Sequence, residues 1–89
     1  MASWDRVERI TAARMSDITL DTRGLRCPLP VLRARKAMQQ VAPGEVLLVL
    51  ATDPGTVRDF DAFCAATGHE LVERSTQAGE YTFRIRKRR

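Results

Sequence analysis

Two cysteines and one histidine are the most reactive side chains of this sequence: Cys27, Cys64 and His69. A cysteine reacts as its thiolate, so it is reactive where its surroundings favour the ionised form. The residue three positions after Cys27 is Pro30, so the sequence lacks a Cys-x-x-Cys pair that would let Cys27 form a disulfide locally. If Cys27 is reactive, its chemistry must therefore be completed by a second molecule. The alternative is a buried, inert cysteine.

Two prolines follow Cys27 in the run Cys27-Pro28-Leu29-Pro30 and indicate the start of a helix. Proline is tolerated in the first helical turn, where N–H groups have no intrahelical partner. Either Cys27 is the N-cap, or the helix begins at Pro30 with Leu29 as its cap, because proline disfavours the α conformation in the residue before it. In both cases the thiol lies at the positive end of the helix dipole, which favours the thiolate.

The residues around Cys27 are rich in arginine and lysine, with Arg26 directly before it. Positive charge nearby also favours a thiolate. The two prolines, however, remove N–H donors from the helix start and leave the amides of Leu29 and Val31 as direct donors. We therefore expect only a modest fall in the pKa of the Cys27 thiol. A modest fall preserves nucleophilicity, which declines as a thiol becomes more acidic.

Length and composition indicate one small globular domain: 89 residues, 44% of them hydrophobic, with 15 basic and 11 acidic side chains and a net charge of +4. No apolar run approaches the roughly 18 to 20 residues that span a bilayer, and the N-terminus lacks a signal-peptide pattern. We expect a cytoplasmic protein without a membrane span. Two cysteines and one histidine do not make a four-ligand zinc site without carboxylates, so we expect no metal.

Hydrophobic periodicity predicts an alternation of strands and helices. The predicted elements are strand 18–21, helix 30–40, strand 46–50, a helix from 54 to about 67, a short strand at 71–72 and strand 81–86. This βαβαββ order predicts an α+β fold, a two-layer α/β sandwich in which both helices pack on one face of a four-stranded mixed sheet. Residues 18–89 would form this domain, and residues 1–17 a flexible N-terminal extension.

Four further side chains are assigned from this arrangement. Cys64 falls on the apolar face of the second helix and is interpreted as a core residue. His69 begins the third strand, at the opposite end of the sheet from Cys27, where it would cap or pack. Asp53 is interpreted as the N-cap of the second helix, with Pro54 as its first residue. Arg35 lies roughly 12 Å along the helix from Cys27 and is a candidate docking contact.

The sequence resembles the TusA/SirA family of sulfur carriers over about residues 18–87. The resemblance rests on Leu20-Asp21-x-x-Gly24-Leu25-x-Cys27-Pro28-x-Pro30, then Pro43-Gly44-Glu45, Asp53-Pro54, Phe63-Cys64, His69-Glu70-Leu71 and Ile85-Arg86-Lys87. It implies strand order 1-2-4-3 and a sulfurtransferase without a bound cofactor. Cys27 would accept persulfide sulfur from a pyridoxal-phosphate cysteine desulfurase and relay it to an acceptor protein. Gly24, Arg26, Pro28 and Pro30 would position or activate the thiol.

In the best-known branch of this family the sulfur ends in 2-thiouridine of tRNA, which the carrier would serve at most indirectly. Other branches serve sulfur oxidation or molybdenum-cofactor synthesis, and these destinations remain alternatives. Leu29 departs from the family pattern, which often has an acid there, so we expect partner choice to depend on Leu29, together with Arg35 and Asp53. A different class of function, a non-enzymatic module that binds RNA or protein through basic residues, is favoured by the C-terminal run 86–89.

Overall fold

The computed structural model describes residues 18–88, which form four strands and two α-helices. The elements are strand β1 (Ile18–Thr22), helix α1 (Leu29–Ala37) with a 3₁₀ turn (Met38–Gln40), strand β2 (Val46–Ala51), helix α2 (Thr56–Thr67), strand β3 (Glu70–Gln77) and strand β4 (Glu80–Arg86). Neither helix in this part of the chain is long and apolar enough to cross a membrane. The predicted extension, residues 1–17, lies outside the described residues.

The strands form one mixed sheet in the order β1-β2-β4-β3. Strand β2 pairs with β1 in parallel, and β4 pairs antiparallel with both β2 and β3. The predicted fold and strand order are therefore confirmed. Because β1, β2 and β3 point the same way, the sheet has two distinct ends. We call the end where β1 and β2 finish, at Thr22 and Ala51, the cysteine end, and the end where β2 and β3 begin, at Val46 and Glu70, the histidine end.

Alternation along the strands places the core on one face of the sheet. In β2 every second residue is buried, and its partners in β4 are the buried Phe83 and Ile85. Both helices contribute to the same cluster through Ala34, Met38, Phe60, Phe63 and Cys64. Phe60 stacks on Phe83 with ring centroids 4.7 Å apart, which fastens α2 to the sheet. This packing confirms the expectation that both helices cover one face.

The termini of the helices differ from the prediction in three places. Helix α1 begins at Leu29 and gives way at Met38 to a 3₁₀ turn, which is a common way for a helix to end. Helix α2 begins at Thr56, two residues after Pro54. Its end agrees with the sequence: Gly68 has φ +82°, and its N–H donates to the Cys64 carbonyl at 2.9 Å.

Strand β3 is longer than the short strand predicted at 71–72, because it continues to Gln77. Apolar and polar residues do not alternate along the rest of this strand, so the sequence gives no sign of it. The strand forms because its backbone pairs with β4 from Glu70 to Gln77. A bulge interrupts this pairing between Leu71 and Glu73. The hairpin turns at Ala78 and Gly79, both with positive φ, as a two-residue type I′ turn requires.

Candidate functional site

The segment from β1 to α1 carries Cys27 around the cysteine end of the sheet, and the loop after β2 holds it there. Gly24 adopts φ +86°, a conformation that favours glycine, and its N–H donates to the Thr52 hydroxyl at 2.9 Å. The Leu25 N–H donates to the Thr22 carbonyl at 3.1 Å and closes a turn. Since β1 and β2 are parallel neighbours, the loops that follow them meet. Gly24 thus positions the approach to Cys27.

Asp53 fastens the cysteine itself, because its Oδ2 accepts the Cys27 backbone N–H at 3.0 Å. The prediction that Asp53 caps α2 with its side chain is wrong: the N-cap is Gly55, and no side chain caps this helix. The Asp53 carbonyl instead accepts the Thr56 N–H at 3.0 Å and the Thr56 hydroxyl at 2.7 Å. The backbone of Asp53 therefore opens the helix, while its carboxylate holds the Cys27 loop.

Asp59, in the first turn of α2, contacts the sulfur directly: the Cys27 thiol donates a hydrogen bond to Asp59 Oδ2. Gly55 permits the close approach of the two segments, since a Cβ there would lie 3.2 Å from Cys27 Cβ and 3.5 Å from its Sγ. Neither residue was identified from the sequence. A usable signal existed, because Asp59 lies in the first turn of a helix that starts at the end of the sheet where Cys27 lies.

These contacts give Cys27 an acidic environment in place of the basic one expected. The hydrogen bond to Asp59 raises the pKa of the thiol above its ordinary value. Desolvation and the charges of Asp59 and Asp53 act in the same direction, and Arg58 opposes them. The predicted fall in the pKa is therefore wrong for the isolated protein. Arg23, close in sequence, is directed elsewhere and pairs with Asp21 and Glu80.

The start of α1 also contributes less than predicted to the thiolate. Neither Cys27 nor Leu29 is the N-cap; that position is Pro28, which follows a cis peptide bond. The Leu29 N–H, expected to donate to the sulfur, donates to the Arg26 carbonyl at 2.8 Å. Pro30 is buried among the core residues and anchors the first turn. The prolines and the backbone of Arg26 thus shape the segment that presents Cys27.

The Cys27 side chain is exposed and lines an open cavity of about 590 Å³ at the cysteine end. The other lining residues are Pro54, Gly55, Val57, Arg58, Asp59 and Asp61. Cys64, the other cysteine, is buried in the core, and burial raises the pKa of its thiol to about 11. It is the core residue that the sequence predicted. Within residues 18–88 no group of His, Cys, Asp and Glu side chains could hold a metal ion.

Helix α1, which follows the Cys27 segment, carries exposed apolar and basic side chains. Leu29 and Leu32 are 44% and 50% exposed, which is high for leucine. Arg35 lies further along, with its guanidinium carbon 6.0 Å from the centre of the Phe63 ring, in a groove between the two helices. Helix α1 thus exposes leucines and a cation, features that are common at protein–protein contacts.

His69 lies at the histidine end, as the sequence predicted, and it has a structural role. Its Nδ1 accepts the Arg88 N–H at 3.1 Å, and its ring packs 6.0 Å from that of Phe63. Burial and the charge of Lys87 lower its pKa. Lys87 itself donates from Nζ to the Met38 carbonyl at 3.1 Å. Part of the basic C-terminal run therefore fastens the end of the chain to the domain.

Comparison with known proteins identifies the family. The family profile described as Sulfurtransferase TusA matches residues 18–87. The Sulfur carrier protein TusA of Allochromatium vinosum is 52% identical over 71 residues, which cover 80% of this chain and 93% of that protein. A relative from Neisseria meningitidis serogroup A is 56% identical over 68 residues, covering 76% of this chain and 92% of its own.

A solved structure gives the same result at lower sequence identity. The crystal structure of the SirA-like protein from Desulfitobacterium hafniense superposes with a TM-score of 0.70 at 26% identity, over 81% of this chain and 99% of that one. The segment that matches the family profile contains every strand of the sheet and both helices. The chain therefore belongs to the TusA family of sulfurtransferases, which are sulfur carrier proteins.

Proposed function

We propose that Cys27 is the residue that carries the sulfur, as a persulfide, between a donor protein and an acceptor protein. The observation that supports this is the contrast between the two cysteines: Cys27 is exposed beside an open cavity, whereas Cys64 is buried in the core. A carried sulfur must be reachable by partners and must not be discharged by a second thiol of the same protein. Cys27 meets both requirements.

The transfer consists of two thiol exchanges that need no external oxidant or reductant. In the first, the Cys27 thiolate attacks the outer sulfur of a persulfide on the donor; an S–S bond forms at Cys27, and the donor cysteine leaves as a thiolate. In the second, a thiolate of the acceptor attacks the outer sulfur on Cys27. That sulfur moves to the acceptor, and Cys27 is released as a thiolate, ready for another cycle.

The donor in this proposal is a cysteine desulfurase, and the acceptor is a downstream protein that offers a cysteine. The exposed Leu29 and Arg35 are the contacts we assign to partner docking, together with Asp53, whose carboxylate accepts the Cys27 N–H. Gly24, Arg26, Pro28 and Pro30 position the loop that presents the sulfur. Each of these residues lies in the Cys27 segment, in α1 or in the loop after β2, so one partner surface can contact the exposed ones, whereas the buried Pro30 acts only on the conformation of the loop.

The destination we propose for the sulfur is 2-thiouridine in tRNA, reached through the acceptor, so that the carrier acts in the cytoplasm and meets tRNA at most indirectly. Supply of sulfur for oxidation or for molybdenum-cofactor synthesis would use the same chemistry at Cys27. The alternative of a basic RNA-binding module gains less support, because Arg84 and Arg86 pair with Glu73 and Glu70 at 3.1 Å across the hairpin. Those charges are partly neutralised within the sheet.

The proposal is tested by measuring the intact mass of the protein after incubation with a cysteine desulfurase and cysteine. We expect a gain of one sulfur atom that a thiol reductant reverses. Cys27→Ser should abolish the gain, and the matched variant Cys64→Ala should keep it, because Cys64 is buried.

Loading that persists in Cys27→Ser but disappears in Cys64→Ala would refute the assignment of the sulfur to Cys27. Circular dichroism of both variants shows whether the fold is retained. RNA binding that depends steeply on salt and is unaffected by Cys27→Ser would favour the binding-module alternative.

A further inference from the structure

The hydrogen bond between Cys27 and Asp59 is unusual for a nucleophilic cysteine, because a carboxylate beside the sulfur opposes ionisation. Activated cysteines commonly have a cationic group or a helix N-terminus next to the sulfur. Here one of the two amides expected to donate to the sulfur, that of Leu29, donates to the Arg26 carbonyl. The free protein thus presents an exposed cysteine whose nearest charged group favours the less reactive thiol.

Within residues 18–88, the charged groups that shift the pKa of the Cys27 thiol, Asp53, Arg58 and Asp59, come from α2 and from the loop that precedes it. Asp59 accepts the thiol hydrogen bond, and Asp53 accepts the backbone N–H of the same residue. Both carboxylates raise the pKa of the thiol, while Arg58 lowers it. The two carboxylates outweigh the one cation, so the net effect raises the pKa and favours the neutral thiol. Asp59 has a larger effect on this pKa than Asp53 because it contacts the sulfur directly.

We propose that Asp59 is a positioning residue that holds Cys27 as a thiol in the free carrier, and that docking of a partner protein displaces the Asp59 carboxylate and frees the sulfur to react. This inference rests on the proposed function of Cys27. Asp59 lies in the wall of the open cavity, so a partner surface that enters the cavity reaches the carboxylate and the sulfur together. The same contact that brings the donor persulfide would therefore remove the restraint.

Such a restraint would give the carrier selectivity between its partners and small molecules. An exposed thiolate reacts with any small electrophile or disulfide in its surroundings, whereas the thiol reacts slowly. When Asp59 is displaced, the proton of Sγ passes to water or to a carboxylate, and the sulfur electron pair becomes available for attack. The unloaded carrier then stays inert until a donor is bound.

The first test measures alkylation of Cys27 by iodoacetamide as a function of pH, read by peptide mass mapping. In this reaction the thiolate forms a bond to carbon and iodide leaves. Asp59→Asn keeps the size and an acceptor oxygen but removes the charge. We expect the midpoint of the pH profile to move to lower pH and the rate at neutral pH to rise several-fold. The gain in rate should be smaller than the gain in thiolate, because a more acidic thiol is a weaker nucleophile.

Asp61→Asn is the matched control, because Asp61 lines the same cavity but pairs with Arg74 at 3.0 Å. This variant carries the same change of charge without a contact to the sulfur, and its profile should stay close to that of the wild type. Asp59→Glu, which retains the charge, should keep a raised midpoint. An unchanged profile in Asp59→Asn, or an equal shift in Asp61→Asn, would overturn the proposal.

The second test concerns release by the partner, and it compares sulfur loading from the desulfurase in the same variants. If docking already displaces the carboxylate, the rate of loading should rise less in Asp59→Asn than the rate of alkylation does. Loading that accelerates as much as alkylation would refute release by docking. If the wild type takes up no sulfur at all, the proposed function fails, while the alkylation profiles still decide whether Asp59 restrains the thiol.

Discussion

The two ends of the sheet both carry titratable side chains, but the hydrogen bonds of these side chains have different roles at each end. At the histidine end, His69 and Lys87 are fastened to backbone atoms: His69 Nδ1 accepts the Arg88 N–H, and Lys87 Nζ donates to the Met38 carbonyl. The backbone of Lys87 is also tied in both directions, to Gly44 at 2.8 Å and to Glu45 at 2.9 Å. These groups hold residues 87–88 against the rest of the domain.

At the cysteine end the polar groups instead converge on one exposed side chain. Asp53 holds the backbone of Cys27, Asp59 contacts its sulfur, and Gly55 leaves room for both. The cavity beside them is open. A residue type alone therefore does not identify the site in this protein. The histidine, a common catalytic residue, makes structural contacts here, whereas the proposed reactive group, Cys27, is exposed beside an open cavity.

This contrast predicts that substitutions at the cysteine end change reactivity, whereas those at the histidine end change stability. The largest effect should come from Gly55→Val. Its Cβ would lie 3.1 Å from Asp53 Oδ2 and 3.2 Å from Cys27 Cβ, so the Cys27 loop must shift. We expect sulfur loading from the desulfurase to fall on the order of tenfold or more, because misplacement of a reacting group is costly. Intact-mass time courses measure this loss.

Gly44→Val is the matched control for Gly55→Val. Gly44 has φ +89°, and a Cβ added to it would meet no atom within 4 Å, so valine there is strained by its backbone conformation and not by crowding. This strain should lower the free energy of unfolding by about 1–2 kcal/mol, measured by urea unfolding, with loading unchanged. A loss of loading in Gly44→Val as large as in Gly55→Val would break the distinction between the two ends.

A smaller effect is expected from His69→Ala. At pH 7.5 the variant should lose about 1 kcal/mol of stability, the typical net value of one hydrogen bond, while loading is retained. The pKa of His69 is lowered from its ordinary value of 6.5. The neutral ring therefore makes its full contribution to the free energy of unfolding at pH values above 6.5. The contribution is lost as the pH falls through 6.5 towards the folded pKa, because protonation of Nδ1 abolishes its acceptor role. The difference between variant and wild type should therefore shrink at pH 5 in urea unfolding experiments.

An equal difference at both pH values would show that the ring acts through packing against Phe63 and not through its hydrogen bond. Loading serves as the internal control in the same samples. A loss of loading in His69→Ala would contradict the assignment of this end to stability.

The smallest effect is expected from Arg23→Gln, which tests the basic residues that flank Cys27. Arg23 pairs with Asp21 at 2.8 Å and with Glu80 at 3.2 Å on an exposed surface. The hydrogen bonds from Arg23 lower the pKa of Asp21 to about 2, and in the variant that value should return towards 3.8, as measured by NMR titration. The alkylation profile of Cys27 should not change. Slower alkylation in the variant would show that Arg23 favours the thiolate of Cys27.

The sequence predicted the elements with strong periodicity and missed those whose existence depends on pairing. The buried run of β2, the alternation of β4 and the glycine that ends α2 carry local signals, and all three were found. Strand β3 has mostly polar, exposed residues and is formed by its partner across the hairpin. Local pattern could not give its length.

The electrostatic environment of Cys27 was mispredicted for a similar reason. Neighbours in the sequence are basic, but folding turns Arg23 towards Asp21 and brings Asp59, 32 residues away, to the sulfur. Asp53 followed by proline is a typical helix start, yet its carboxylate binds a different segment. Motif spacing therefore pointed to Cys27 as the reactive cysteine, whereas its acidity depends on contacts that only the folded chain makes.

The bulge between Leu71 and Glu73 protects the exposed margin of the sheet against self-association. Strand β3 is an edge strand, and such strands offer unpaired backbone groups that can recruit a strand from another molecule. A bulge increases the local twist of the strand and interrupts the regular spacing of backbone groups that such pairing needs. The neighbouring charges of Glu70, Glu73 and Arg74 oppose edge-to-edge pairing further. The exposed Val72 lies within this bulge, which disfavours aggregation through this edge at high concentration.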